Sequence, residues 1–560
     1  MTTHDVDRPR PARTRLLTVF AVVWVVAIFW AFTELGQISA VKRHQHAGSN
    51  EGDYLTGAVN MHLRLRAGEP APATLIDPGY IMAPMQLALA QPTLSRPDVT
   101  LEKVRRLSLI HFFLALAMTT LLAARLFGPV GVILAPLFLA SIHSSQLVVF
   151  FYNQLALTAF ALTLTIYCLI RTEFLTSRLW IVATGIAMGF ALLCHRGSPL
   201  LMLLPPLGIY ALLTWRQLKF LVALRGTLFI LIIAVAIAHG HLYDYYVVSE
   251  HVVAKPGSET GAYVFQELKH GLLSGDGLFF HYISLITIHF PHFVGWLWIP
   301  CAAFLARRGK YDGRFWLIVA TAVLPPLWFG FFGTKNNDYI YPVMPFFALI
   351  FAGGIDQIPR RGPRLAVATG VVLVTIVTGW IVPAFTALGP DRIPERIWQQ
   401  AVFWSRAMPF DRSSLGMTLS CDEFVDLMKT RGEKPGGIVI AYGPPEVDEF
   451  ALDMMPCVQM RLADWAVSRS PLPDDVDEAN YAEIWVYPAG AKNADTAVEM
   501  GRVMAKQEPG IPFESYMGLD PAPRPDGNAI TLPSTIQDKP VAVYGLVPPQ
   551  ATPADEAPRP

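Results

Sequence analysis

Residues 16–34 read LLTVFAVVWVVAIFWAFTE, and shortly after, residues 49–54 read SNEGDY. The first stretch is apolar for about the 20 residues that a helix needs to cross the hydrocarbon core of a bilayer. The second sets two carboxylates, Glu51 and Asp53, just past its end. A carboxylate at the outer mouth of a bundle of membrane helices is where a reaction on a lipid-carried substrate can be run. The fold depends on whether the first pattern recurs.

It does, about eleven times by the apolar-run criterion: near 16–34, 107–124, 128–146, 150–170, 179–194, 198–214, 226–239, 283–306, 315–332, 339–355 and 365–386. Pro205-Pro206 and Pro325-Pro326 fall inside two of these runs and are candidate kinks. Composition agrees. Of 560 residues, 53% are hydrophobic and 16% charged, where soluble domains carry about 25% charged residues. Mean hydropathy is +0.39. Lys plus Arg and Asp plus Glu balance at 44 each, which argues against a nucleic-acid partner held by bulk charge. The sequence therefore predicts an α-helical polytopic membrane protein.

Orientation follows from the basic residues, which collect in cytoplasmic loops. Arg8, Arg10, Arg13 and Arg15 precede the first span. Arg125, then Arg171 with Arg178, then Arg216, Lys219 and Arg225 occupy every second connection. Arg307, Arg308, Lys310 and Arg314, then Arg360, Arg361 and Arg364, continue the alternation. Residues 1–15 and these loops are thus expected in the cytoplasm. The loops 35–106 and 240–282, and the chain after about 387, are expected outside. The first span is read as an uncleaved anchor, because a cut after Ala40 would need a small residue where Ile38 stands.

Three regions result: a membrane domain over 16–386, its long outer loop at 35–106, and an outward tail. The loop carries two amphipathic helical patterns, Ala58 to Leu65 and Met82 to Ala90, suited to the membrane face. In the tail, runs at 438–442, 484–487 and 541–544 read as strands, with helical stretches near 421–430 and 494–506. We expect an extracytoplasmic α/β domain over 387–547 and a disordered proline-rich tip at 548–560. Cys168, Cys194 and Cys301 lie in or beside spans and read as packing residues. Cys421 and Cys457 share the outward tail, where a disulfide is a candidate whose geometry the sequence does not fix.

Three polar motifs carry candidate chemistry. Glu51 and Asp53 are suited to take a proton from an acceptor hydroxyl or amine, and equally to cap a helix starting near Tyr54. Cys194-His195-Arg196-Gly197-Ser198 joins two spans on the outer side, where Arg196 can grip a phosphate bidentately or snorkel to lipid headgroups. Lys335, within Gly333-Thr334-Lys335-Asn336-Asn337-Asp338-Tyr339, is a second outward cation, suited to a phosphate or to pairing with Asp338. The loop 240–282 holds His241, His251, His270 and His281, without metal-ligand spacing, while His289 and His292 flank Pro291 and read as packing. No glycine-rich phosphate loop supports a soluble nucleotide-sugar donor.

These motifs, in this order, resemble those of the GT-C fold integral-membrane glycosyltransferases, in the branch of protein O-mannosyltransferases and lipid A aminoarabinose transferases. In that branch an acidic motif follows the first span, as Glu51-Gly52-Asp53-Tyr54 does here, although Gly52 separates acids that the family sets side by side. Asp77-Pro78-Gly79-Tyr80-Ile81-Met82-Ala83-Pro84 is similar to the family's proline-containing segment in the first outer loop. Ala191 to Pro199 is similar to its Leu-Leu-x-Lys-Gly stretch, with Arg196 in place of Lys. Lys335, Tyr339, Tyr341, Pro342 and Pro345 are similar to its last motif. The resemblance covers roughly residues 16–386, and the tail resembles no known domain by its sequence.

The resemblance implies sugar transfer from a polyprenyl-phosphate carrier at the outer face of a bacterial cytoplasmic (inner) membrane, with inversion at the anomeric carbon. Asp53 is then the preferred base, with Glu51 as the alternative. Arg196 and Lys335, with His195 and Tyr339 beside them, would bind the donor phosphate, and Tyr54 and Tyr341 the substrates. The acceptor is a lipid, protein or polysaccharide. No cofactor is required by the resemblance, and dependence on a divalent cation is left open. The alternative is a lipid-linked sugar transporter or flippase without covalent chemistry. Two features argue against it: transporters place ionisable residues at mid-membrane, and no internal repeat is evident.

Overall fold

A computed structural model describes residues 11–38, 49–66, 68, 84–96, 99–142, 144–145, 149, 151–195, 198–243, 279–285, 289–290, 295–308, 313–330, 337–381, 437–441, 466–469, 481–488, 530–536 and 539–545. The chain divides into two compact units: Met1–Ala40, Pro70–Leu89 and Arg105–Pro409 form one, and Val41–Glu69, Ala90–Val104 and Phe410–Pro560 the other.

The first unit is helical. Its elements are α1 (Pro11–Ile38), the start of α3 (Pro84–Leu94), most of α4 (Leu101–Leu126), α5 (Pro129–Ala140), α6 (Leu155–Arg171), α7 (Arg178–Cys194), α8 (Ser198–Gln217), α9 (Phe220–Tyr243), α10 (Phe280–Ser284), α11 (Trp298–Arg308), α12 (Gly313–Gly330), α13 (Met344–Asp356) and α14 (Arg361–Ile376). A 3₁₀ turn, Asn337–Val343, leads into α13. Between them lies α2 (Ser49–Arg66), which belongs to the second unit. Six described helices are long and apolar enough to cross a membrane: Glu102–Leu126, Ser198–Gln217, Phe220–Leu242, Gly313–Gly330, Tyr339–Asp356 and Arg361–Ile381. Four shorter apolar helices, Val19–Glu34, Pro129–Ala140, Leu155–Arg171 and Arg178–Cys194, coincide with other expected spans. The protein is an integral, multi-pass membrane protein.

One expected span does not form as a single helix. Residues 283–306 are divided among α10, a 3₁₀ turn at Gly295–Leu297, and α11. The physical reason is in the sequence: Pro291 lacks the N–H for a helical bond and biases the residue before it to extended backbone. Pro300 falls in the first turn of α11, where proline is tolerated. The two proline pairs behave otherwise, since α8 and α12 continue through Pro205-Pro206 and Pro325-Pro326.

Burial sorts the helices. A helix apolar all round belongs inside a bundle, and every residue of α13 is buried, packed against α5, α11 and α12. By contrast α9 leaves Leu221, Phe229, Ile232 and Val235 exposed, as a lipid-facing helix does. Hydroxyls in this dry interior bond to their own helices: Thr119, Thr120, Thr163, Thr165, Thr214 and Thr321 each donate to the carbonyl four residues back at 2.6–2.8 Å. At the basic end, the Arg171 guanidinium lies 4.3 Å over the Trp180 ring, the pairing of cation and aromatic usual at a membrane interface. Asp356, ending α13, accepts the Gly128 N–H at 2.7 Å and so caps the start of α5.

Helices α7 and α9 approach through Gly185-Ile186-Ala187-Met188-Gly189, a small-xxx-small stripe facing Ile233 and Ile237. A Cβ on Gly185 would stand 2.7 Å from the Ile233 Cβ and 3.2 Å from the Ile230 carbonyl oxygen. Gly185→Ala is therefore expected to destabilise the bundle by about 1–3 kcal/mol, the usual effect of overpacking. Gly208→Ala, where nothing lies within 4 Å, should be neutral or stabilising by up to about 1 kcal/mol. Thermal melting of the two variants in detergent checks the contrast.

The second unit holds a five-stranded mixed sheet of order β2-β1-β3-β5-β4. Its strands are β1 (Gly437–Ala441), β2 (Ala466–Arg469), β3 (Tyr481–Pro488), β4 (Ile530–Ile536) and β5 (Lys539–Gly545). β1 pairs in parallel with β2 and β3, while β5 runs antiparallel to β3 and β4. β1, β3 and β5 match the expected strands. β4 carries Pro533 at a register shift, which an edge strand accommodates and which hid it from a periodicity reading. The helical stretches near 421–430 and 494–506, the proline-rich tip, Cys421 and Cys457 lie outside the described residues.

In the same unit α2 packs its Leu55, Ala58 and Val59 inward, and Gln91 of α3 donates to the Ala58 carbonyl at 3.2 Å. Gln91 also lies 3.3 Å from His62 Nδ1. Burial holds the His62 imidazole below its ordinary pKa, the Gln91 bond opposing this and Arg66 adding to it. A depressed histidine pKa means the unfolded chain binds the proton more readily. Stability of this packing is therefore complete above pH about 6.5 and declines as pH falls through the folded pKa. Hydrogen exchange over α2 is expected to quicken on acidification, and His62→Gln to flatten that response.

Candidate active site

The rim at one end of the helical unit is built where several helices start or stop. Between α5 and α6 the chain passes Tyr152, wholly buried, whose hydroxyl donates to the Gln86 carbonyl at 3.0 Å. Asn153 follows: its N–H donates to Ser108 Oγ at 3.3 Å, and its Oδ1 accepts the Leu155 N–H at 2.9 Å. That second bond satisfies one of the orphan donors at the start of α6. Arg105, 8% exposed, stacks its guanidinium 5.4 Å over the Phe151 ring.

Two of the motifs singled out in the sequence meet this rim through α6 and the segment before it. Thr158 Oγ1 reaches both the Gln154 carbonyl at 2.8 Å and the Cys194 carbonyl at 3.3 Å, tying the end of α7 to the start of α6. His195, the extended residue closing α7, shares a 2.7 Å hydrogen bond between its Nδ1 and Ser198 Oγ. From the other side the 3₁₀ turn packs on α6, and buried Tyr341 donates to Ser145 Oγ at 3.3 Å. Tyr339, half-buried, lies with its ring 5.9 Å from Phe329. The basic residues Arg125, Arg171, Arg216, Arg307 and Arg308 close helices at the opposite end.

Arg196 and Lys335 lie outside the described residues, next to His195 and shortly before Asn337 in the sequence. Glu51 and Asp53 lie within the first turns of α2, so the helix begins at Ser49, earlier than the expected start near Tyr54. Tyr54, on the same helix, is half-buried. The structure thus joins the His195 and Tyr341 turns on one rim. It adds Gln86, Arg105, Ser108, Tyr152 and Asn153, none of which the motif reading selected. A signal was present near one of them: Asn153-Gln154 is a polar pair set between apolar runs. Arg105 reads as one more loop charge in Leu101-Glu102-Lys103-Val104-Arg105-Arg106, and only the fold shows it buried. Among the described residues no three His, Cys, Asp or Glu side chains are grouped to hold a metal ion. His281 packs among aromatic rings, 5.2 Å from Phe280 and 6.2 Å from Phe329.

This arrangement is the GT-C fold of integral-membrane glycosyltransferases. The chain is similar in structure to ArnT from Cupriavidus metallidurans bound to undecaprenyl phosphate: TM-score 0.54, 12% identity, 95% of this chain and 98% of that one covered. The apo form of the same ArnT matches at TM-score 0.54 and 13% identity over the same shares. An apo oligosaccharyltransferase from Archaeoglobus fulgidus matches more distantly, at TM-score 0.41 and 14% identity over 79% of this chain and 64% of its own. No family model and no curated protein matches by sequence. Identity this low establishes a shared fold and leaves the chemistry to the residues.

Proposed function

We propose that the protein is an inverting glycosyltransferase that moves a sugar from a polyprenyl-phosphate-linked donor to a lipid, protein or polysaccharide acceptor at the outer face of the cytoplasmic membrane. The observation that carries this reading is the union of the His195 and Tyr341 turns on α6 within a GT-C fold. Each turn adjoins a cation in the sequence, Arg196 and Lys335, so chain connectivity supports two positive charges near one rim. The similar ArnT was crystallised with undecaprenyl phosphate, which fits a lipid phosphate as the group those charges meet.

In the reaction, the acceptor oxygen or nitrogen attacks the anomeric carbon and its proton passes to Asp53. The new bond to C1 forms as the C1–O bond to phosphate breaks. The electron pair leaves with the polyprenyl phosphate, which gains a negative charge that Arg196 and Lys335 stabilise. His195 and Tyr339 support that phosphate site, and Tyr54 and Tyr341 contact the substrates.

The test uses the purified full chain with undecaprenyl-phosphate-linked sugars and a membrane extract as acceptor source. Release of undecaprenyl phosphate in step with a product of inverted anomeric configuration is expected. Movement of intact lipid-linked sugar between leaflets, with no bond broken, would support a flippase instead.

A further inference from the structure

Several nearly buried side chains of the helical unit carry polar atoms that no described residue meets, among them both amide atoms of Gln86 (1% exposed), Nδ1 of His111 (5%) and Oγ of Ser144 (2%). Buried polar atoms are ordinarily matched by chain, water or ligand, because leaving them dry is unfavourable. The same hydrogen bonds that build the rim relate these groups. The backbone carbonyl of Gln86 is held by Tyr152, and the next residue, Asn153, is bonded to Ser108. His111 follows Ser108 by one turn on the same face of α4. Ser144 adjoins Ser145, which accepts the Tyr341 hydroxyl.

The chemistry of this set is specific. An amide offers two donors and an acceptor, a hydroxyl both donates and accepts, and an imidazole supplies one further polar nitrogen here. A phosphate, which only accepts, is matched by cations such as those of the neighbouring motifs. Sugar hydroxyls each donate and accept, and uncharged partners of mixed character match them. We propose that Gln86 and His111, with Ser144, form the subsite for the sugar ring of the lipid-linked donor; this rests on the transferase reading. The hydroxyl pattern of the sugar is then what the subsite selects, since a site built to bond a hydroxyl strongly rejects an analogue lacking it.

The experiment measures binding of undecaprenyl phosphate and of undecaprenyl-phosphoryl hexoses, pentoses and their deoxy analogues to the purified full chain, beside turnover. The wild type should bind at least one sugar-bearing lipid about 10-fold or more tightly than the bare lipid phosphate, the scale of one lost buried hydrogen bond. Gln86→Leu and His111→Leu should erase that preference and leave affinity for bare undecaprenyl phosphate unchanged. Thermal melting reports whether each variant folds, and Ser144→Ala, which only removes an oxygen, serves if either leucine variant does not. Retention of the preference in folded variants overturns the subsite while leaving the transferase reading standing. A wild type that turns over yet binds both lipids equally likewise overturns the subsite alone. A wild type that neither binds nor transfers any sugar-bearing lipid overturns both.

Discussion

Asp53→Asn is expected to slow sugar transfer by about 100-fold or more, because positioned general bases contribute roughly 10²–10⁴. The substitution keeps size and shape and removes only the capacity to take a proton. Affinity for undecaprenyl phosphate should stay at the wild-type value, since that ligand holds no acceptor proton. The fold bears on which acid serves. Positions two apart on a helix do not share a face, so Glu51 and Asp53, both on α2, fall on different stripes. Position 51 shares its stripe with Leu55, Ala58 and His62, and position 53 with Gly57, Asn60 and Arg64. Leu55 and Ala58 of the first stripe are buried, and Gln91 of α3 donates to the Ala58 carbonyl. The base is thus expected on the second, and Glu51→Gln should leave turnover within a few-fold of wild type. Rates of both variants at saturating donor, with melting temperatures beside them, decide the assignment. Full activity in Asp53→Asn would remove it as the base.

Much of the membrane architecture was legible because lipid imposes a simple rule: backbone must bond to itself, so each crossing declares itself as a long apolar run. Residues 107–124, 198–214 and 339–355 needed nothing more. The run 283–306 misled, because hydropathy is blind to backbone, and a proline in the sequence such as Pro291 disfavours helix without making the stretch less apolar. β1, β3 and β5 announced themselves by β-branched and aromatic content, whereas β2 is four residues of mixed character and β4 holds a proline. The rim divides the same way. His195 and Tyr341 stand beside a charge at a span boundary, where a polar residue is conspicuous. Gln86, Ser108 and Asn153 become a group only through bonds across 45 or more residues of chain, and no local pattern encodes those.

The second large effect concerns the leaving group. A polyprenyl phosphate joined to a sugar carries one negative charge and gains another as the anomeric bond breaks, so a cation beside it binds the transition state more tightly than the ground state. Removing such a donor lowers turnover by about 10²–10³-fold. Arg196→Ala and Lys335→Met should each show that loss mainly in kcat, with the donor KM changing much less, because the ground-state charge is the smaller of the two. Arg196→Lys separates geometry from charge: it keeps the positive charge and loses the planar two-point grip, so it should recover only part of the rate. If both cations act on one phosphate, the double variant should fall well short of the product of the single losses, as groups working as a unit do. Strictly multiplicative losses would place the two charges on separate tasks. A rise in KM alone, with kcat intact, would assign them to recruiting the lipid headgroup rather than to bond cleavage.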